Sequence, residues 1–241
     1  MPLMNLFCCF TPAHEVLFKE YFLPSVPEGF SVRPTRFDIE GAGDFLSAEF
    51  IRCICRKVEL ILESIREHSG GVIVWSDIDI QFFDVSPEAL LSHLGEHDIA
   101  FQREGPRVPD VNTGFFVCRC NARTLGFFER VKEGLERDPR TNEQYVANRL
   151  LGRNPDLLWA YLPPGYYART HGWPPPRGLA LYHANATPGK GGVAMKIAQF
   201  RELAFLHRFR PLALAVTGVK YAPKRIRRLL SERLFRRLRP S

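Results

Sequence analysis

At 241 residues, 45% hydrophobic and 24% charged, the chain is long and apolar enough to close one large core, which excludes an intrinsically disordered polypeptide. Its formal charge of +7 is local, because residues 220–241 hold nine Lys or Arg and one acid, leaving 24 basic against 25 acidic residues elsewhere. The run PLALAVTGV falls far short of the ~20 apolar residues of a membrane span, and no basic-then-apolar signal peptide opens the sequence. A soluble protein, cytoplasmic or at the membrane periphery, is expected.

Taken in chain order, LFCCF (6–10) reads as a strand, and AHEVLFKEYFLPSV as a helix stopped at Pro24. FSVRPTRFD (30–38) is a second strand. Ser47 then precedes a long amphipathic helix with Phe50, Ile51, Ile54, Val58, Ile61, Leu62 and Ile65 at helical intervals. GVIVW (71–75) has the continuous apolar pattern of a strand covered on both faces. SPEALLSHLG is a short helix, DIAFQRE and NTGFFVCRC are strands, and ARTLGFFERVKEGLE and TNEQYVANRLLGR are helices, the latter with Tyr145, Val146 and Leu150 expected to pack inward. DLLWAYLP and GLALYHAN are strand-like, and PPGYYARTHGWPPPRG between them reads as a surface loop. From Ala194 onward the pattern is helical. The sum is one α/β domain, residues 1–200, followed by an Arg-rich helical tail, residues 201–241. Six cysteines, paired as Cys8/Cys9, Cys53/Cys55 and Cys118/Cys120, have neither zinc-knuckle nor disulfide-framework spacing and are expected as reduced, mostly buried thiols.

Ligands of an open α/β sheet gather beyond the carboxyl ends of its strands. Asp77 and Asp79 stand at such an end, two apart, so that in extended geometry both carboxylates share a side and can meet one hard cation, Mn²⁺ or Mg²⁺. His183 ends a later strand, and a neutral imidazole can join carboxylates on Mn²⁺. Lys190, in the Pro188–Gly192 turn, can neutralise a phosphate.

WSDIDIQFF, DVNTGFFVCR, TNEQYVANRLL and YHANATPGK, in that order, resemble the motifs of metal-dependent glycosyltransferases of the GT-A fold. The similarity is greatest to the nucleotide-diphospho-sugar transferase family that includes plant cell-wall xylosyltransferases, and more distant to the glycogenin and bacterial galactosyltransferase family. It covers roughly residues 5–200.

The resemblance implies a Rossmann-like GT-A domain with a mixed central sheet flanked by helices. It further implies a metal held by Asp77, Asp79 and His183, with Asp77 also touching the donor, and diphosphate contact from Lys190, although one extra residue separates this lysine from the histidine. Asn112 and Gly114 match donor-sugar positions, and Glu143 and Gln144 match the acid–glutamine pair, the glutamine lying beneath the anomeric carbon. Asn148 shares the helical face of Gln144 and is expected with it among the donor-binding residues, Lys57 and Arg56 resemble a basic position facing phosphates, and Thr11 sits where relatives contact uracil.

The activity implied is transfer of a sugar, with retention, from a nucleotide-diphosphate donor such as a UDP-sugar to a glycan, protein or lipid-linked acceptor. Tyr166, Tyr167, His171 and Trp173 offer an aromatic acceptor wall. Two alternatives stand beside this reading. One is a catalytically silent sugar-nucleotide-binding or scaffold protein. The other is a haloacid-dehalogenase-type phosphatase, whose motif continues with Thr or Val where this chain has Gln81. The tail has the pattern of an amphipathic basic helix suited to an anionic membrane, and no module for specific nucleic acid is recognisable.

Overall fold

The computed structural model describes residues 3–41, 47–105, 108–138, 140–153, 156–168, 176, 178–185 and 191–209, with positions 215, 219, 222, 223 and 226 beyond them. Among the described residues, nine strands form one mixed sheet: β1 (Met4–Phe10), β2 (Phe30–Arg36), β3 (Val72–Ser76), β4 (Ile80–Phe82), β5 (Ile99–Gly105), β6 (Val108–Arg119), β7 (Trp159–Tyr161), β8 (Tyr166–Ala168) and β9 (Leu181–His183). Their order is β2-β1-β3-β6-β5-β8-β9-β4, with β7 paired to β5. The first three strands are parallel, β6 is antiparallel to both its neighbours, and β4 closes the far edge antiparallel to β9.

The helices are α1 (Glu15–Leu17), α2 (Ala48–Glu67), α3 (Pro87–Leu94), α4 (Ala122–Arg137), α5 (Glu143–Leu151) and α6 (Gly192–Arg208). The expected helix at 13–26 is a chain of short turns around α1, with 3-10 pieces at Pro12–His14 and Leu23–Ser25 and a π-helical piece at Phe18–Phe22. Prolines at both ends remove backbone donors there and keep the α pattern from extending. Ser47, Ser86, Asn121 and Asn142 cap α2 to α5 by accepting the backbone N–H three residues on. No helix among the described residues is long and apolar enough to cross a membrane.

The centre of the sheet is buried on both faces, which explains the unbroken apolar pattern of β3. Its alternate side chains go to opposite layers: Ile73 and Trp75 pack with α2 residues Val58, Ile61 and Ile65, while Val74 packs with Leu6, Phe22 and Phe115. In β6, Phe116 and Cys118 face the first layer, and Phe115 and Val117 the second. At ~1.5–3 kcal/mol for each fully buried large side chain, these two layers are the main source of stability.

Strands β3 and β4 are third and last in the sheet, five spacings apart, or about 24 Å if the sheet were flat. Only Asp77, Ile78 and Asp79 connect them, a link that spans at most about 14 Å from Ser76 to Ile80. The sheet must therefore curl until β4 and its partner β9 return beside the end of β3. Ile80 is in register with His183, and the Ala184 N–H donates to the Asp79 carbonyl at 2.8 Å. That curl creates the site.

Two expectations are corrected. Tyr166 and Tyr167 belong to a buried strand, β8, rather than a surface loop: Tyr166 stacks on Phe115 and Tyr167 on Tyr182, so neither can form an acceptor wall. His171 and Trp173 lie outside the described residues. Tyr145 is 62% exposed instead of packing inward, because α5 turns Val146 and Ala147 to the core.

The six cysteines are free thiols; Cys8, Cys118 and Cys120 are buried and the other three half-buried. Burial pushes the Cys8 thiol up to about 12. Helix α6 runs through residue 200, the expected domain limit. Most positions after 209 lie outside the described residues.

Candidate functional site

The link between β3 and β4 is a tight turn, not extended chain, and buried Ile78 anchors it in the core. Both aspartates still converge, and they meet His183 from β9. One ligand atom from each of Asp77, Asp79 and His183 lies within 4.8 Å of the others. The His183 Nδ1 faces the Gln102 Oε1 at 2.9 Å, and the Gln102 amide is in turn oriented by donating to the Tyr166 carbonyl at 3.3 Å. Facing a carbonyl oxygen, Nδ1 carries a proton, and Nε2, 3.2 Å from Asp79 Oδ1, is the ring atom that could meet a cation. Two carboxylates and an imidazole nitrogen so arranged suit Mn²⁺ or Mg²⁺ with open positions for phosphate oxygens.

Gly114 makes the close approach feasible. A Cβ there would lie 2.3 Å from His183 Cε1, 2.9 Å from Asn112 Oδ1 and 3.0 Å from Asp77 Oδ2. Its carbonyl accepts from the Asp77 N–H at 2.7 Å, and its own N–H donates to Asn112 Oδ1 at 2.8 Å. Asn112 and Gly114 thus form the floor of the cluster.

Lys57, buried on α2, reaches both Asp77 oxygens at 2.8 and 3.0 Å and Glu143 Oε1 at 2.9 Å. Burial disfavours its charge, but the two carboxylates outweigh burial and hold the ammonium above its ordinary pKa. Glu143 also accepts from Thr113 Oγ1 at 3.2 Å. Burial opposes its ionisation, while Lys57 pulls its carboxyl down. Arg56, one residue before, turns to solvent and pairs with Glu59 and Glu63 on its own helix, so it takes no part.

For Asp77, burial pushes the carboxyl up, with the Asp79 and Glu143 carboxylates adding to it and Lys57 opposing. Trp75 Nε1 donates to the same carboxylate at 3.0 Å. Burial also acts on Asp79, but Lys196, with Nζ 2.8 Å from Oδ2, and His183 prevail and hold that carboxyl well below the usual range. The two aspartates are therefore inequivalent.

A cleft of about 250 Å³ opens beside the cluster. Its walls include Thr11, Phe10, Phe37, Phe50 and Cys53, and its base includes Lys57, Asp77, Asp79, Glu143 and Lys196. The Thr11 hydroxyl pairs with His14 Nδ1 at 2.8 Å. Burial, with Lys196 nearby, lowers the His14 pKa to about 4 and keeps that ring neutral.

Gln144 Nε2 and Asn112 Nδ2 both donate to Glu104 Oε2, at 3.1 and 2.5 Å. Asn148, grouped with Gln144 by helical spacing, instead clamps β6. Its Oδ1 accepts from the Val111 N–H at 2.7 Å and its Nδ2 donates to the Val111 carbonyl at 2.9 Å. Lys190 lies outside the described residues.

Sequence reasoning missed Gln102, Glu104 and Lys196. Gln102 and Glu104 read as interior residues of a strand. The signal available for Lys196 was a lysine one turn into a helix that has no acid in its first turn.

The sequence profile of nucleotide-diphospho-sugar transferases matches residues 27–172. An uncharacterised protein of Arabidopsis thaliana is 29% identical over 114 residues, covering 47% of this chain and 34% of that protein. Among solved structures, the glycosyltransferase GlyE of Streptococcus pneumoniae superposes with a TM-score of 0.53 at 11% identity, over 82% of this chain and 60% of GlyE. A glycosyltransferase involved in glycosylation of the major capsid of PBCV-1 gives 0.55 at 16%, over 82% and 98%. The galactosyltransferase LgtC, solved with donor and acceptor sugar analogues, gives 0.51 at 15%, over 83% and 95%. The chain thus spans about a third of the Arabidopsis protein and three fifths of GlyE. The structural likenesses identify the GT-A architecture: a curled mixed sheet flanked by helices.

Proposed function

The chain belongs to the nucleotide-diphospho-sugar transferase family, and on that footing we propose that it is a metal-dependent glycosyltransferase that moves a sugar from a nucleotide-diphosphate donor, a UDP-sugar, to the hydroxyl of a glycan, protein or lipid-linked acceptor. The observation that carries the reading is the meeting of Asp77 and Asp79 with His183, about a hundred residues later in sequence, beside a cleft that both aspartates line.

Breaking the bond between sugar and diphosphate develops oxocarbenium character on the sugar and negative charge on the β-phosphate. Asp77, Asp79 and His183 would hold a divalent ion, which would supply positive potential where that charge gathers. The chain's own groups prepare the place. Lys57 holds Asp77 and Glu143 in fixed positions, Gln102 sets the His183 tautomer, and Glu104 orients the amides of Asn112 and Gln144. Thr11 and the apolar wall of Phe10, Phe37 and Phe50 suit a base and exclude water from it.

Retention by double displacement needs a strong nucleophile on the far face of the sugar. Gln144, an amide, is a poor one. Same-face attack by the acceptor hydroxyl, with the departing phosphate oxygen taking its proton, fits these residues better.

Asp79→Ala should abolish Mn²⁺-dependent transfer or hydrolysis of a UDP-sugar, and a variant as active in chelator as the wild type would refute the proposal. Gln144→Ala should fold normally and turn over slowly, by ~10²-fold or more. Thermal stabilisation by a panel of sugar nucleotides with Mn²⁺ would identify the donor.

A further inference from the structure

Lys196 sits one turn into α6, which begins after left-handed Gly191 (φ 85°) and has no acidic residue in its first turn. A helix N-terminus disfavours a cation, so the helix does not hold this ammonium where it is. Asp79 does. Both oxygens of that carboxylate are engaged, Oδ2 by Lys196 at 2.8 Å and Oδ1 facing His183 Nε2 at 3.2 Å.

The lysine lines the cleft and its side chain is 19% exposed, so its flexible stem has room to swing. A divalent ion between Asp79 and His183 would put two positive charges beside that ammonium in surroundings with little water, where like charges repel strongly. A diphosphate in the cleft would give the ammonium another anion to meet.

We infer that Lys196 and the divalent cation compete for Asp79, and that the lysine released from Asp79 is taken up by the donor's diphosphate, so that cation and donor each favour binding of the other. The inference rests on the proposed sugar-nucleotide reading of the cleft. It gives the chain a donor lysine on α6, six residues beyond Lys190, and it makes the site bind its cation weakly until a nucleotide arrives. Coupling of this kind is reciprocal: whatever factor UDP contributes to Mn²⁺ affinity, Mn²⁺ contributes to UDP affinity.

The test is isothermal titration of the full chain with MnCl₂, alone and at saturating UDP, for the wild type, Lys196→Met and Lys196→Gln. In the neutral variants Mn²⁺ alone should bind at least ~5-fold tighter than in the wild type, and the gain in Mn²⁺ affinity given by UDP should shrink by a similar factor. Unchanged or weaker binding of Mn²⁺ alone in both variants, or an undiminished UDP effect, overturns the inference.

Thermal melts provide a second readout that does not need turnover. Without Lys196 the buried Asp79 lacks its counter-ion, so the metal-free variants should melt lower than the wild type and gain more from Mn²⁺. An equal or smaller Mn²⁺ gain also overturns it. A wild-type protein that binds neither Mn²⁺ nor UDP would sink the parent reading of the cleft, an outcome distinct from wild-type binding that Lys196 does not influence.

Discussion

Single residues here act through how near they allow others to come. Gly114 is the sharpest case, since its missing side chain is the space that His183, Asn112 and Asp77 share. Gly114→Ala should weaken Mn²⁺-dependent nucleotide binding by ~10-fold or more and cost about 1–3 kcal/mol in a urea melt, as expected of an overpacked site. Asp98 is a residue of another kind, structural and missed by motif reading. Its buried carboxylate accepts from Arg123, Asn121 and the Leu158 N–H, tying the start of β5 to α4 and to the entry of β7. Burial raises its pKa, but these donors prevail and hold it below the ordinary value of 3.8. A carboxyl depressed in the folded state gives stability above its unfolded pKa and loses it as pH falls through the folded one. The protein should therefore lose stability below about pH 4, and Asp98→Asn, which removes this contribution, should cost about 2–3 kcal/mol at pH 7 and flatten the acid limb of a thermal-melt series. Asp77, Asp79 and His183 were legible because their residue types and strand-end positions announce hard-cation chemistry. Glu104 and Gln102 were not, because an acid or amide inside a strand pattern carries no mark of which neighbour it will orient.

Elements position the site in proportion to how firmly they are tied to the sheet. Helix α5 carries Glu143 and Gln144, and Asn148 fixes it to β6 by bonding both polar groups of Val111. Asn148→Ala leaves that backbone N–H and carbonyl without their partner. It should cost about 1–3 kcal/mol in chemical denaturation and change nucleotide affinity little, whereas a donor-binding asparagine would show the reverse. Elements with strong periodicity, α2, α4, β3 and β6, were plain in the sequence because each buries a continuous face. β6 nonetheless begins at Val108, four residues ahead of its expected start, as its hairpin with β5 extends the pairing. β8 was hidden because its two tyrosines sit among prolines and glycines, and only pairing with β5 and β9 makes three residues a strand. β4 was hidden in IQF just after the two aspartates, where the sequence marked only the end of a strand; the chain turns there and joins the far edge of the sheet.

At the scale of the molecule, a nearly neutral body leads into a basic end. Helix α6 leaves Phe205 and Phe209 exposed, with the Arg208 guanidinium over the Phe209 ring at 5.8 Å, and the Arg-rich sequence follows. We expect the full chain to sediment with anionic vesicles at low salt and a chain lacking residues 223–241 to do so less, since basic residues near an anionic surface add about 1 kcal/mol each. Unchanged partitioning on deletion would dismiss membrane attachment through the tail. With all six cysteines as thiols, a reductant should leave the melting temperature where it is. The sequence by itself determined the α/β class, the two-sided burial of β3 and the identities of the three candidate ligands, because periodicity and residue chemistry are local properties. Only the tertiary structure decided that these ligands meet, that Lys196 shares Asp79 with them and that Tyr166 and Tyr167 are core. Those facts follow from a three-residue link too short to span a flat sheet, which forces the curl that brings β9 and α6 back to the end of β3.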